Sequence, residues 1–251
     1  MSNTTLKNLA GKVAFIQGGS RGIGAAIAKR LAREGAVVAL TYANSADKAK
    51  EVVKSIEAAG GSALAIHADS ADANAVKKAI QTAATTLGGI DILVNNAGVL
   101  AMAPLEDFKL EDFDRTVAVN VRSVFVATQE AARHMGEGGR IITIGSTNAE
   151  RMPFVGGAVY AMSKSAIVGL TKGLARDLGP RGITVNNVQP GPVDTEMNPD
   201  SGDFAETLKG MMAISRYGKD EEIASFVAYL AGPEAAYITG ANLTIDGGFS
   251  A

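Results

Sequence analysis

The stretch VAFIQGGSRGIG, residues 13–24, decides the fold of this 251-residue chain. Its first four residues form a short apolar run typical of a buried strand, and Ile23, Ile27 and Leu31 follow at the four-residue spacing of a helix face. Glycines between a strand and a helix let the backbone turn tightly and approach a pyrophosphate at the helix N-terminus. Glycines of this kind also occur in turns that bind no ligand and only let the strand pack closely against the helix. The pyrophosphate-binding interpretation therefore depends on where the loop lies in the whole chain.

Strand-like and helix-like segments alternate along the rest of the chain. Apolar runs restart at residues 37–40, 63–66, 90–94, 140–144, 183–188 and 243–245. Helical patterns separate them, and Ser45 is placed to cap the second helix. Crossovers of this length imply parallel strands with helices on both faces. We therefore predict an α/β fold, a single domain over residues 1–251 built as a Rossmann-like doubly wound sheet of about seven parallel strands.

The composition restricts the chemistry. The chain has no cysteine, which excludes disulfides and thiolate nucleophiles, and its two histidines, His67 and His134, lie in different units, so we expect no metal site. A net charge of -2 without a cluster of cations argues against a nucleic-acid partner. No apolar run is long enough for a signal peptide or a membrane span, so we expect a cytoplasmic location and no membrane contact.

The end of the second predicted strand indicates which dinucleotide would bind. Sites for NAD usually have an acidic residue there, which holds the ribose 2′-hydroxyl. Here residues 41–45 (TYANS) are neutral, and Arg21 in the glycine loop can pair with a 2′-phosphate. We expect NADP(H) to be favoured over NAD(H), although a solvent-exposed Arg21 would allow either cofactor.

A tyrosine and a lysine form the candidate catalytic pair. Tyr160 and Lys164 are four residues apart in a helical pattern, which places both side chains on one helix face. A nearby ammonium favours the phenolate form of tyrosine. This spacing is also common on solvated helix faces, but Ser146 ends a predicted buried strand, where parallel sheets present their ligands.

Together these motifs resemble the short-chain dehydrogenase/reductase family over residues 11–248. The matching positions are Gly18, Gly22 and Gly24, the run Asn95 to Gly98, Asn120, Ser146, Tyr160 with Lys164, and Pro190 with Gly191. The resemblance implies that Tyr160 exchanges a proton with the substrate oxygen while hydride moves to or from the nicotinamide. It implies that Lys164 holds the nicotinamide ribose and lowers the Tyr160 pKa, that Ser146 orients the substrate, and that Asn120 holds a water that relays protons.

The glycine loop and the resemblance also give an expected set of cofactor contacts. These are Gly18, Gly19, Ser20, Arg21, Gly22, Ile23, Gly24, Tyr42, Asn44, Ser45, Asp69, Ser70, Asn96, Ala97, Gly98, Tyr160, Lys164, Pro190, Gly191, Val193 and Thr195. Gln17 departs from the threonine that the family commonly has before the loop. This departure puts in doubt only a local hydrogen bond under the loop, since a glutamine amide can still bridge backbone groups.

Substrate and assembly are less closely specified by the sequence. An irregular excursion at about residues 191–212 is a candidate substrate loop, and with residues 147–155 it would determine the substrate. We expect a free ketone or secondary alcohol, because no basic patch for an acyl carrier protein is visible near that loop. The family resemblance implies a homotetramer that pairs the helices near residues 115–135 and 160–178.

A binding function is the alternative. The chain is also similar to a bacterial branch of the family linked to biofilm dispersal through cyclic-di-GMP binding. Arg21 and Arg151 could serve the phosphates of such a second messenger in the same pocket. A pure binding protein would not need the full set of Asn120, Ser146, Tyr160 and Lys164.

Overall fold

Seven short strands with apolar centres form one fully parallel sheet in the computed structural model, which describes residues 7–251. The spatial order is β3-β2-β1-β4-β5-β6-β7. The strands are β1 Val13–Gln17, β2 Val37–Tyr42, β3 Ser62–His67, β4 Ile92–Asn95, β5 Arg140–Ile144, β6 Thr184–Pro190 and β7 Asn242–Ile245. The strand order reverses beside β1, so the ligand-binding crevice of a doubly wound sheet is expected at the carboxyl ends of β1 and β4.

The described residues form eight α-helices. They are α1 Gly22–Arg33, α2 Ala46–Ala58, α3 Ala73–Leu87, α4 Leu110–Val117, α5 Ser123–Ala131, α6 Ala158–Leu178, α7 Asp203–Gly210 and α8 Asp220–Ala231. One apolar core joins α1, α2 and α8 to the sheet, and a second joins α3, α5 and α6 to the opposite face. The predicted doubly wound fold is therefore confirmed for the described residues; the first six residues of the predicted domain lie outside them.

Two local features differ from the expectations. The helix predicted near residues 115–135 begins at Leu110, and a π-helical turn at Ala118–Arg122 interrupts it around Asn120. Single π-helical turns inside α-helices often accompany functional sites. Ser45 precedes α2, but its side chain makes no capping hydrogen bond, whereas Asp72 caps α3 by accepting from the amides of Asn74 and Ala75.

Within residues 7–251, no helix combines the length and the apolar character needed to span a membrane.

A row of polar residues crosses the sheet near its carboxyl edge. Gln17, Asn95, Thr143 and Asn187 lie side by side on β1, β4, β5 and β6. Asn95 donates to Thr143 Oγ1 over 3.3 Å, but neither the oxygen nor the nitrogen of the Gln17 amide has a partner among the described residues. The interpretation that the Gln17 amide bridges backbone groups under the loop is therefore wrong for the described residues.

Substituting methionine for Gln17 should stabilise the fold. The Gln17 side chain is 1% exposed, and a buried amide without a partner costs about 1–3 kcal/mol. Methionine has a similar length and no such amide, so we expect the free energy of unfolding to rise by about 1 kcal/mol, measured by urea denaturation. Asn186→Leu is the matched control and should lower it, since Asn186 bonds Ile238 O and Ala241 N. Equal or lower stability of Gln17→Met would contradict this account.

Candidate active site

The loops at the carboxyl edge of the sheet enclose a cavity of about 490 Å³. Ser146 and every predicted cofactor contact except Gly19 line its wall. Gly19 instead faces the core, where a Cβ would come 2.7 Å from Leu40 Cβ. Asn120 lies behind the wall. The cavity thus joins the glycine loop at one end to the Tyr160 region at the other.

Hydrogen bonds from two neighbouring strands fix the glycine loop. The amide of Gly18 donates to Thr41 Oγ1 over 2.9 Å, and Asn96 Nδ2 donates to Gly18 O over 2.8 Å. Arg21 occupies the N-cap position of α1 but provides no side-chain capping bond. The first amides of α1 therefore remain able to bind an anion, as helix N-termini commonly do.

Ser146, Tyr160 and Lys164 meet at the far end of the cavity. Lys164 lies one helical turn after Tyr160 on α6, and its Nζ is 5.7 Å from the centre of the tyrosine ring and donates to Ile144 O over 3.0 Å. Ser146 Oγ donates to Asn148 Oδ1 over 3.2 Å and accepts from the Asn148 amide over 3.1 Å. Asn148, which the sequence did not single out, therefore orients the serine hydroxyl.

Burial controls the protonation of this pair. It raises the pKa of Tyr160 above its usual value, and a hydrogen bond with Ser146 only partly opposes this. Burial also lowers the pKa of Lys164 to about 8. The resemblance implied that Lys164 lowers the Tyr160 pKa, but in the chain without a cofactor the net effect on this pKa is an increase. The phenol keeps its proton at neutral pH, which is the state that a general acid needs.

Asn120 supports the site from behind. Its side chain accepts from Val99 N and donates to Val99 O, both over 2.9 Å, and it also donates to Ser163 Oγ over 3.0 Å. A Cβ added to Gly98 would come 3.6 Å from Asn120 Oδ1 and 3.7 Å from Lys164 Nζ. Gly98 therefore keeps the space between Asn120 and Lys164 free of a side chain.

Arg21 and Arg151, the two cations that the sequence offered for ligand phosphates, differ in their position relative to the cavity. Arg21 lines the cavity, but Arg151 does not: it bonds the carbonyl of Phe249 and lies 5.5 Å from the centre of that ring. His67 contacts the ring of Tyr42 edge-on. Over residues 7–251, no group of three or more His, Asp or Glu residues is arranged to hold a metal ion.

Comparison with known proteins identifies the family. A family model described as "Enoyl-(Acyl carrier protein) reductase" matches residues 18–250. A short-chain dehydrogenase/reductase from Serratia marcescens BCRC 10948 is 72% identical, covers 97% of this chain and 100% of its own, and superposes with a TM-score of 0.96. The chain belongs to the short-chain dehydrogenase/reductase family. The resemblance seen in the sequence is thereby confirmed, and the chain is an oxidoreductase of that family.

Two further relatives of this short-chain dehydrogenase/reductase are described by the ligands that they themselves bind. A short-chain dehydrogenase from Burkholderia cenocepacia J2315, whose structure was solved in complex with NADP, is 56% identical over 97% of this chain and 100% of its own, with a TM-score of 0.96. The cyclic-di-GMP-binding biofilm dispersal mediator protein of Escherichia coli K12 is 49% identical over 96% of this chain and 98% of its own.

In this short-chain dehydrogenase/reductase the cavity also has apolar side chains that are not among the predicted cofactor contacts. Its wall includes Leu100, Met102, Met152, Phe154, Phe204 and Phe249. The sequence indicated residues 147–155 and 192–212 as the segments that determine the substrate. Leu100, Met102 and Phe249 lie outside them, in the segments after β4 and β7. These three residues could have been predicted from one general rule: every segment that follows a parallel strand emerges at the same edge of the sheet.

Proposed function

We propose that the chain is an NADP(H)-dependent carbonyl reductase/alcohol dehydrogenase. The observation that carries the proposal is the meeting of Ser146, Tyr160 and Lys164 on the wall of a cavity whose other end is a glycine loop at a helix N-terminus. The function requires both parts in one enclosure, because hydride and proton must reach the same carbonyl group.

The residues present fit a dinucleotide with a 2′-phosphate. The free amides at the start of α1 would hold the pyrophosphate, and Asp69 and Ser70 line the side where the adenine would lie. Pro190, Gly191, Val193 and Thr195 also line the cavity, and the family resemblance assigns them to the nicotinamide amide and the phosphates. The neutral end of β2 and the nearby Arg21 favour NADP(H), and the relative from Burkholderia cenocepacia has been solved with NADP. When bound, the cofactor supplies or accepts the hydride.

The side chains account for the proton transfer. During reduction Tyr160 gives its phenolic proton to the carbonyl oxygen as hydride arrives at the carbonyl carbon, which yields a secondary alcohol; oxidation reverses both transfers. The Lys164 ammonium stabilises the phenolate that remains. Ser146 hydrogen-bonds the same oxygen, so the substrate replaces Asn148 as acceptor of the serine hydroxyl. Asn120 bonds both backbone groups of Val99, and the family resemblance implies that it also holds the water that relays protons through Lys164.

The apolar end of the cavity supports a free ketone as substrate. Phe204 and Leu208 belong to α7, within the excursion at residues 191–212, and Leu208 packs in a small apolar cluster with Phe249. This excursion therefore serves as the substrate loop of a single catalytic domain. An apolar wall binds the hydrocarbon part of a ketone, while Ser146 and Tyr160 bind its oxygen.

The outer face of α6 supports a homotetramer. Ala166, Gly169 and Gly173 are exposed there, and a Cβ on either glycine would meet no atom within 4 Å among the described residues. Small residues allow a second copy of the helix to approach closely. Ile167 and Ala175 of the same helix are buried within the single chain. Sedimentation should give a tetramer, and a monomer at micromolar concentration would contradict this assembly.

The test of the proposed function is oxidation of NADPH and NADH with a panel of aliphatic and aryl ketones, ketoesters and quinones. We expect turnover of free ketones, with a higher kcat/KM for NADPH than for NADH. Binding of both cofactors without turnover of any carbonyl compound would overturn the enzymatic proposal.

Cyclic-di-GMP binding is the second candidate, and the identity to the Escherichia coli dispersal protein favours it. Arg151 does not line the cavity, so only Arg21 of the two expected cations is available to the messenger. Equilibrium dialysis with cyclic-di-GMP, with and without NADPH, distinguishes the two functions. Binding that NADPH displaces, in a protein with no ketone turnover, would make binding the main function.

A further inference from the structure

One carboxylate on the wall of the cofactor cavity lies between two cations. Glu196 accepts a hydrogen bond from Lys48 and lies 3.8 Å from Arg21 Nη1. The hydrogen bond from Lys48, together with the charges of Lys48 and Arg21, lowers the pKa of Glu196, so the group is ionised at neutral pH. Neither Lys48 nor Glu196 was singled out from the sequence.

Arg21 and Glu196 line the cofactor cavity, whereas Lys48 lies just outside its wall, in a neighbouring groove that Arg21 and Glu196 also line. In doubly wound sheets the adenosine ribose 2′-oxygen lies at the carboxyl end of β2, and a nearby arginine accommodates a 2′-phosphate. Asn44 and Ser45 follow β2 and line the cavity. Lys48 lies in the first turn of the helix that comes next, and Arg21 faces it from the glycine loop. A 2′-phosphate and the Glu196 carboxylate would therefore compete for the same two cations.

Glu196 also belongs to the proposed substrate loop. Among the described residues, the ion pairs that connect residues 191–212 with the rest of the chain are those of Glu196 with Arg21 and Lys48. The other ion pairs of this loop join Lys209 to Asp200 and Glu206 within it. Contact with a 2′-phosphate would therefore act on the part of the loop next to Thr195, which lines the cofactor cavity beside Gly22.

We propose that Arg21 and Lys48 form a two-cation clamp for the 2′-phosphate, and that Glu196 occupies this clamp when no phosphate is bound. NADP(H) must displace the carboxylate, whereas NAD(H) leaves its ion pairs intact. Glu196 therefore reduces the difference in affinity between NADP(H) and NAD(H). When NADP(H) binds, Glu196 is released from Arg21 and Lys48, and the substrate loop loses these two ion pairs; NAD(H) does not cause this release. This inference rests on the proposed dinucleotide site but not on turnover.

The experiment compares ligands that differ only in the 2′-phosphate. Dissociation constants of NADPH and NADH, and of 2′,5′-ADP and 5′-AMP, are measured by titration calorimetry for the wild type and for Glu196→Gln. Because exposed ion pairs contribute little, we expect NADPH and 2′,5′-ADP to bind about two- to five-fold more tightly to Glu196→Gln. NADH and 5′-AMP should bind as they do to the wild type. Lys48→Gln should weaken NADPH and 2′,5′-ADP by a similar factor, and most of the Glu196→Gln effect should be absent in that background.

Glu206→Gln is the matched control. Glu206 is an exposed carboxylate of the same loop, but it pairs with Lys209 and lies away from the clamp, so its loss should change neither set of constants. Equal effects of Glu196→Gln on NADPH and NADH, or weaker NADPH binding, would overturn the clamp. If neither dinucleotide binds the wild type, the proposed function itself fails, and the two failures are thus distinguishable.

Discussion

Replacing Tyr160 with phenylalanine is expected to lower kcat for ketone reduction by about 100- to 10,000-fold, the usual contribution of a positioned general acid. Phenylalanine keeps the ring beside Lys164 and removes only the hydroxyl that gives its proton to the carbonyl oxygen. The dissociation constant of NADPH should change little, because the cofactor contacts at the glycine loop and after β6 are untouched. Steady-state kinetics and calorimetry on the same preparation measure both quantities.

Tyr229→Phe is the control for this loss. Tyr229 lies on α8 with 44% of its surface exposed and does not line the cavity, so the variant should keep the activity of the wild type. Full activity in Tyr160→Phe would show that another group supplies the proton and that the proposed mechanism is wrong.

Adding a single methyl group at Gly24 is expected to have the second large effect. A Cβ at this position would lie 2.2 Å from Gly18 O and 2.4 Å from Asn96 Nδ2, the two atoms whose hydrogen bond braces the glycine loop. The loop backbone must move away, because Cβ contacts this short do not occur. We expect Gly24→Ala to lower the free energy of unfolding by about 1–3 kcal/mol, as overpacking commonly does.

The same displacement should impair cofactor use more than stability. Loop amides moved by about 1 Å no longer meet the pyrophosphate, and misplacement of that size can cost about 100-fold in rate. We therefore expect kcat/KM for NADPH to fall by about two orders of magnitude. Gly136→Ala is the matched control, since a Cβ there meets nothing within 4 Å. Wild-type kinetics in a well-folded Gly24→Ala protein would contradict the assigned role of the loop.

Much of the site could be predicted because parallel sheets obey a simple rule. Residues that directly follow a strand emerge at the carboxyl edge, so Gly18, Asn96 and Ser146 had to lie near one another once their strands were recognised. Lys164 followed from helical periodicity and its distance from Tyr160. Gly19 is the exception, because its backbone conformation turns it toward Leu40 and the core.

The pKa of Tyr160 and the functions of Asn120 and Gln17 could not be predicted in this way. Each depends on how deeply the side chain is buried and on which polar atoms surround it. The buried Gln17 amide has no hydrogen-bond partner among the described residues, whereas Asn96 bonds the carbonyl of the adjacent Gly18. Burial outweighs the influence of nearby groups on Tyr160. A sequence motif reveals neither the missing partner of the Gln17 amide nor the effect of burial on the Tyr160 pKa.

The sequence by itself determined the doubly wound sheet and the glycine loop, because these follow from apolar periodicity and from short spacings within single elements. The proposed trio of Ser146, Tyr160 and Lys164 came from a strand end, a helical spacing and the family resemblance. Only the tertiary structure decided that Glu196 faces Lys48, which is 148 residues away, and that Arg151 packs against Phe249 instead of lining the cavity. The physical reason is that such contacts depend on how distant loops pack over the sheet edge. Local propensity specifies the elements, but the packing of the assembled core specifies which of their side chains meet.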